Sequence, residues 1–513
     1  MRAETFQRPG KEAAGSRHEP GVVRQTAPAE GEPIVPQTQL LMEEVLRREN
    51  LFAALRRVRA NKGAAGVDGM SVDDLPDYLR QAWPEIREQL LSETYVPSPV
   101  RTVYVPKPDG GTRMLGIPTA LDRLIAQAIS QVLMPLFDPD FSERSYGFRP
   151  GRSAHQALEQ ACRDMADGYR WVVNLELAKF FDTLHHDMVM SRVARKVKDK
   201  RLLRLIRRYL NAGMMQDGLV SQREAGMPQG SPLSPLLSNI LLDDFDKELE
   251  RRGHRFCRYA DDANVYVQSK RAGLRVMASL MRFLEGRLRL KVNRSKSVVD
   301  RPWNCTFLGY TVTNHLKPRL KPAPQAVQRA KDRIRQITHK GRGRNIRVVI
   351  GEINRFTRRW VGYSRLASVK AQFDTVDQWI RRRLRKILWE QWRTPKTRCR
   401  KLIALGLERQ RARKATATGL GAWWKAGASH MHAAVKRLFD NSAGRGAILC
   451  RNGQAPRDRG EPCQSPHDRG LPRRRLHRAR VDGPHPRPAR QGANDSWIPR
   501  VRLCGRELDR PHP

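Results

Sequence analysis

The chain has little from which to build a disulfide or zinc framework. Its seven cysteines include no CxxC pair, and Cys450, Cys463 and Cys504 lack the paired spacing a zinc site needs. No run of 18 or more apolar residues occurs, so no segment is expected to span a bilayer. The opening stretch MRAETFQRPGKEAAG lacks the apolar h-region of a secretory signal. Acidic residues are scarce too: 52 Asp and Glu face 97 Lys and Arg, a formal net charge of +45. So large an excess opposes compaction unless a polyanion is bound. It points to nucleic acid, with an anionic membrane surface as the competing partner. Together these features predict a reduced, cytoplasmic, nucleic-acid-binding protein.

At 513 residues the chain is long enough for two or three domains, and the charge marks segments within it. Residues 1–35 mix Pro, Gly and Ala with balanced charge and read as a disordered lead-in. Residues 325–440 hold 30 Lys and Arg against 7 acids. The tail, 441–513, holds 16 Arg, 10 Pro and no lysine, although the body uses lysine freely. It has neither helical nor strand periodicity. It reads equally as a flexible RNA-binding arm or as a GC-rich segment in a shifted frame.

The sharpest local signal is RFCRYADDANVYVQS, residues 255–269. Strand-like segments flank Asp261-Asp262, which predicts a β-hairpin with two carboxylates at its tip. Asp-rich turns are common. These acids, however, follow Tyr-Ala without the Gly or Asn of a tight turn, between strands apolar enough to be buried. Adjacent buried carboxylates repel unless a cation lies between them. A third acid, Glu176, ends the strand-like WVVNLE, where Val172, Asn174 and Glu176 share one face. Set beside the hairpin in one antiparallel sheet, this strand brings Glu176 to the Asp261-Asp262 tip. Such a carboxylate set can hold two Mg²⁺ ions about 3.5–4 Å apart, and the chemistry implied is nucleotidyl transfer.

The Tyr259-Ala260-Asp261-Asp262 stretch resembles the YxDD box of reverse transcriptases, in the YADD form of bacterial group II intron proteins. Further motifs follow the family's order: NKGAAGVDGM (61–70), VPKPDGGTRMLGIPTALDRLIAQ (105–127) and SYGFRPGRSAHQAL (145–158). After the 171–182 segment come MPQGSPLSPLLSNILLDD (227–244), the YADD hairpin, LKVNRSKS (290–297) and FLGY (307–310). The resemblance covers roughly residues 40–440 and is to the endonuclease-lacking group II intron reverse transcriptase/maturase.

It implies an α+β fold shaped as a right hand. Fingers would come mostly from 36–170 and 188–227, and a palm with an antiparallel sheet from 171–187 and 228–320. An α-helical thumb or maturase domain would follow over 321–440. By the same resemblance Asp261 and Asp262 are the catalytic, metal-binding aspartates, with Glu176 at the third carboxylate position and Mg²⁺ as the cofactor. Phe181 aligns with the aromatic gate against a ribose 2′-hydroxyl, although core packing suits either of two adjacent Phe. Gln229 resembles the residue that contacts the incoming nucleotide. Lys107 and Arg113 flank a Gly-Gly turn where two cations can clamp a triphosphate. Lys296 matches a lysine able to protonate pyrophosphate. Arg149 and Arg152 are expected on template backbone. Asp182, His185 and His186 are read as a helix cap and packed imidazoles.

Beyond FLGY, apolar residues recur at helical spacing with Arg between them. Trp360, Tyr363, Trp379, Trp389 and Trp392 are expected in its core. Arg381, Arg382, Arg383, Arg385 and Lys386 make a basic helix suited to RNA phosphates, with a solvated basic face as the plain alternative. The partners implied are the parent intron RNA, an RNA template, a DNA primer and dNTPs. One departure stands out: Glu176 occupies a position where the family writes Asp. The extra methylene displaces the carboxylate by about 1 Å, and Mg²⁺ demands near-octahedral geometry. A misplacement of about 1 Å can cost on the order of 10²-fold in rate. Two functions therefore stand: an RNA-directed DNA polymerase that also assists splicing and retrohoming, or an RNA-binding splicing maturase with a weak or inactive polymerase site.

Overall fold

The structure, a computed structural model, describes residues 40–106, 110–216, 218–339 and 341–442. The lead-in, most of the tail and Lys107 lie outside the described residues. Three helices, α1 (Leu41–Leu46), α2 (Arg48–Asn61) and α3 (Leu75–Leu91), precede the strands β1 (Val100–Pro106) and β2 (Thr112–Ile117). Next come α4 (Ala120–Phe137), α5 (Ala154–Ala166), β3 (Trp171–Glu176), the single turn α6 (Phe180–Thr183), α7 (His186–Lys196) and α8 (Lys200–Asn211). The strands β4 (Met214–Gln216) and β5 (Leu219–Ser221) lead to α9 (Ser234–Arg251), β6 (Arg255–Tyr259), β7 (Asp262–Val267) and α10 (Lys270–Arg282). Short strands β8 (Val298–Asp300), β9 (Tyr310–Val312) and β10 (Leu320–Pro322) close this part. The rest is helical: α11 (Pro324–Thr338), α12 (Ile346–Tyr363), α13 (Lys370–Gln391), α14 (Pro395–Ala404), α15 (Arg409–Ala417), α16 (Ala422–Gly427) and α17 (Ser429–Ser442).

Two four-stranded sheets organise the first two-thirds. One has the order β2-β1-β4-β5 and the other β6-β7-β3-β8. In the second, β6 and β7 form the expected antiparallel hairpin, and β3 pairs antiparallel with β7. Both faces of this sheet are covered. Val173, Leu175 and Val265 face the main core with the helices, while Val172, Cys257 and Tyr266 face a second cluster with α5 and the 305–320 segment. Two-sided burial explains why β3 and β7 read as nearly continuous apolar runs.

Local sequence sets the helix ends. Ser153 and Gln156 form a capping box at the start of α5, and Thr119 caps α4 by accepting from the Asp122 amide. Asp199 caps α8 through the Arg201 and Leu202 amides and also accepts from the Met42 amide at 2.9 Å, tying α1 to α8. In α8, Leu202, Leu205, Ile206, Tyr209 and Leu210 are buried while charged residues take the opposite face. The helical third has its own core around Ile353, Ile380, Leu384 and Trp389. Tyr363 closes onto FLGY, its hydroxyl donating to the Leu308 carbonyl at 2.7 Å. Leu308 and Gly309 both have positive φ there, the pattern of a tight hairpin turn. Among the described residues no helix is long and apolar enough to cross a membrane.

Candidate active site

The β6–β7 hairpin turns through two residues, Ala260 and Asp261, because Tyr259 pairs directly with Asp262. Ala260 has φ +58°, a conformation the missing Gly or Asn would have supplied without strain. The next strand completes the set: Glu176 on β3 stands opposite Asp262 on β7. Directly opposed residues hold their Cβ atoms about 4.5–5.5 Å apart on one face of the sheet. The structure thus brings the backbones of all three expected acids together.

The electrostatics record that crowding. Burial pushes the Asp261 carboxyl above its usual range, Glu176 adds to the rise, and the Arg113 guanidinium opposes it. Asp262 is pushed up to about 7, first by burial, then by Asp261 and Glu176, with Lys296 and Arg113 pulling the other way. Asp262 keeps exposed surface at the tip of the hairpin even though burial is the main cause of its raised value. Arg113, exposed on β2, is the cation of the other sheet whose field reaches both aspartates.

Glu176 is held differently. The LKVNRSKS segment wraps its backbone: the Asn293 amide donates to the Glu176 carbonyl at 2.8 Å, and the Glu176 amide donates to Ser297 Oγ at 3.1 Å. Lys296 Nζ then takes Glu176 Oε1 at 3.1 Å. The side chain is engaged by this lysine, and among the described residues no three acidic, His or Cys side chains already converge as a metal cluster. Asp261 and Asp262 fit a hard divalent cation in donor chemistry, being adjacent carboxylates with too little countercharge. Glu176 would join them through the oxygen that Lys296 leaves open, Lys296 holding only Oε1.

Phe181 and Gln229 lie on adjoining segments. The Met227 amide donates to the Phe181 carbonyl at 2.7 Å, and the Gly116 amide of β2 donates to the Gln229 carbonyl at 3.1 Å. Both glycines of this loop are obligatory. A Cβ on Gly226 would stand 2.6 Å from the Asp182 carbonyl, and one on Gly230 2.3 Å from the Gly116 carbonyl. Of the two adjacent aromatics, Phe180 is the core residue at 3% exposure, and Phe181 is half-buried with its ring edge-on to Phe180.

Several expectations need correcting. Arg149 is buried and donates to Asp138, Ser142 and Ser145, so it braces the 138–149 loop rather than reaching a template. Arg385 is likewise buried on α13, donating to the Ala426 carbonyl and contacting His432, so it ties α13 to α16 and α17. Asp182 lies inside α6 and His185 is exposed, so neither is the cap or packed ring expected. His186 is packed, between Asn211 and the Gly226 carbonyl. The remaining basic residues stay half-exposed with intramolecular partners. Arg152 pairs with Glu143, Arg381 with Asp377 and Lys386 with Glu390, Arg382 covers the Trp423 ring, and Arg383 donates to Thr338.

Sequence reasoning missed the support beneath the turn. Arg258, Asp246 and Asn239 are fully buried, and Arg258 donates to Asp246, to Asn239 and to the Ala260 carbonyl. The available signal was RYADD itself, where an arginine sits in a strand too apolar for a solvated charge.

The chain is similar to known proteins in two regions. Residues 105–312 match the family model described as Reverse transcriptase (RNA-dependent DNA polymerase), and residues 327–403 match Group II intron, maturase-specific domain. The chain is 34% identical over 301 residues to Protein YkfC of Escherichia coli (strain K12), covering 51% of this chain and 79% of that protein. It is 35% identical over 208 residues to Group II intron-encoded protein LtrA of Lactococcus lactis subsp. cremoris, covering 40% of this chain and 34% of that protein. It is 31% identical over 223 residues to the Uncharacterized 91 kDa protein in cob intron of Schizosaccharomyces pombe, covering 44% of this chain and 27% of that one.

Proposed function

The chain belongs to the group II intron-encoded reverse transcriptase and maturase family, and from that premise we propose that it is an RNA-directed DNA polymerase that also binds its intron RNA to assist splicing and retrohoming. The observation that carries the polymerase half is the opposition of Glu176 to Asp262 beside Asp261, with the Arg113 field over them. Asp261 and Asp262 would hold Mg²⁺, two ions in the full site, with Glu176 as the third carboxylate. Bound there, the metal supplies Lewis acidity to a primer 3′-hydroxyl and charge neutralisation to departing pyrophosphate.

The other roles belong to the chain itself. Arg113, with Lys107 as its expected companion, clamps the dNTP triphosphate. Gln229 and Phe181 line the position of the sugar and base, Phe181 excluding a 2′-hydroxyl. Lys296 stands 3.1 Å from Glu176, within reach of the same cleft, and offers a proton or a charge to pyrophosphate. The helical domain holds RNA through its half-exposed basic residues, among them Arg381, Arg382, Arg383 and Lys386, with Arg152 near the template.

A second reading, a splicing maturase with an impaired polymerase site, rests on the longer Glu176 side chain, whose Oε1 is engaged by Lys296 at 3.1 Å. Primer extension on an RNA template, run beside an intron-splicing assay, separates the two. Mg²⁺-dependent extension that Asp261→Asn abolishes supports the polymerase. Splicing assistance without any extension by the wild type overturns it in favour of the maturase.

A further inference from the structure

The Asp261-Asp262 turn rests on a buried polar network to which the roles above assign no part. Arg258 on β6 is 1% exposed, and Asp246 and Asn239 on α9 are at 0%. The guanidinium grips Asp246 along one edge, Nε to Oδ1 at 2.7 Å and Nη2 to Oδ2 at 2.6 Å. That grip fixes its plane and aims Nη1, which donates to Asn239 Oδ1 at 2.9 Å and to the Ala260 carbonyl at 2.8 Å. Asn239 in turn donates through Nδ2 to the Gly147 carbonyl at 2.8 Å. Gly147 lies so close to the turn that a Cβ on it would stand 2.2 Å from the Ala260 nitrogen.

The Ala260 carbonyl is an unusual acceptor. In a two-residue loop it has no partner across the ladder, and Ala260 is buried, so without Arg258 it would be an unsatisfied polar group. It also belongs to the peptide that joins the two loop residues. The two common turns for such loops, types I′ and II′, differ mainly by a flip of that peptide. Ala260 has positive φ and Asp261 does not, which is the φ pattern of type II′. Type II′ prefers Gly in the first position, so Ala260 is strained there and the turn needs an external hold. A flipped peptide would carry Asp261 to positive φ and swing its carboxylate to a new direction.

We propose that Arg258 is a positioning residue for Asp261: braced by Asp246 and Asn239, it locks the Ala260–Asp261 peptide in the orientation that keeps the Asp261 carboxylate beside Asp262. The proposal rests on the polymerase reading of the same site. The polymerase reading itself gives Arg258 no role, and its guanidinium is taken up by Asp246, Asn239 and the Ala260 carbonyl. Lysine at 258 would keep a charge against Asp246 but lacks the planar fork that holds Asp246 through Nε and Nη2 while Nη1 reaches Asn239 and the Ala260 carbonyl. Alanine at 239 would remove one brace and leave the buried ion pair whole.

The test uses the full-length chain and its Arg258→Lys and Asn239→Ala variants, with two readouts. The first is pre-steady-state primer extension, in which burst amplitude counts folded sites and burst rate reports their geometry. The second is Mn²⁺ binding, read from loss of the free-ion electron paramagnetic resonance signal, with Asp261→Asn as control. Arg258→Lys is expected to slow the burst by about 100-fold and Asn239→Ala by about 10-fold, at unchanged amplitude and dNTP half-saturation. Both are expected to weaken Mn²⁺ binding by about 10-fold, the cost of a displaced ligand. If Arg258→Lys fails to fold, Asn239→Ala decides. Variants with wild-type burst rate and Mn²⁺ affinity, losing only amplitude or thermal stability, overturn the proposal. A wild type that binds Mn²⁺ but extends no primer overturns the polymerase reading, and the Mn²⁺ titration then decides Arg258 alone. A wild type without Mn²⁺ binding sensitive to Asp261→Asn overturns both.

Discussion

Glu176 stands directly opposite Asp262 across the β3–β7 ladder, and one oxygen of its carboxylate is held by Lys296 at 3.1 Å. Two residues far apart in the chain thus share one face of one sheet. That carboxylate lies one methylene further from the backbone than an aspartate's, and Lys296 of the 290–297 segment meets it there.

Glu176→Asp shortens that reach. The aspartate would lose the lysine and stay beside Asp262, closer to the geometry that Mg²⁺ requires. We expect single-nucleotide incorporation on an RNA template to rise by about 10- to 100-fold, the cost of a misplacement near 1 Å. An unchanged or lower rate would show that Glu176 is accommodated as it stands.

Asp262 gives the site a pH signature. Its folded-state value of about 7 lies above the ordinary carboxylate value of about 3.9. Between those limits the native state keeps a proton that the unfolded chain has lost, so stability falls as pH rises through the window. The penalty is complete above pH 7 and absent below pH 4. Asp262→Asn removes it, and we expect a melting temperature higher by about 2–4 °C at pH 8, a gain kept small by solvent screening. The gain should shrink toward pH 4, and Mg²⁺ at pH 8 should raise the wild-type value more than the variant's. A difference independent of pH would remove this account of Asp262.

The acids were legible because strand periodicity has a fixed period of two. With β3 and the hairpin in one sheet and Glu176 in register with Asp262, the two acids share a face. The basic residues were not legible. Arg149 sits in a Gly-Pro-rich stretch that reads as solvated, and only the fold shows Asp138 and two carbonyls waiting for it. Arg385 falls within a run of cations, but α16 and α17 cover its face of α13. Lys296 and Glu176 meet across 120 positions, a pairing that no local pattern encodes. Residue type and spacing reveal where a strand's faces point, whereas a long cation's partner depends on what tertiary packing brings within its reach.

Arg113 is predicted to act on both substrate and acids. Arg113→Ala should raise the dNTP half-saturation by about 10- to 100-fold, the loss of a charge-assisted contact of about 1.5–3 kcal/mol. It should also move the acidic limb of the pH–rate profile upward, because its charge now holds Asp261 and Asp262 down. Arg113→Lys should restore the limb but not the half-saturation, since lysine keeps the charge without the planar fork. Steady-state kinetics from pH 6 to about 9 check both. A limb unmoved in Arg113→Ala would place its charge outside the working site.

The paired aromatics separate sugar selection from packing. Phe180 is buried in the main core, while the half-buried Phe181 lies next to the Gln229 loop, its carbonyl bound to the Met227 amide. Phe180→Ala should therefore cost about 3–5 kcal/mol of stability in a denaturant melt and leave the dNTP-to-rNTP preference unchanged. Phe181→Val should do the reverse, keeping the fold and lowering that preference by about 10-fold or more, because the ring that would meet a 2′-hydroxyl is cut back. Competitive single-nucleotide incorporation with dNTP and rNTP measures the ratio directly. If discrimination follows Phe180, or neither residue, then Phe181 is packing and the sugar is selected elsewhere.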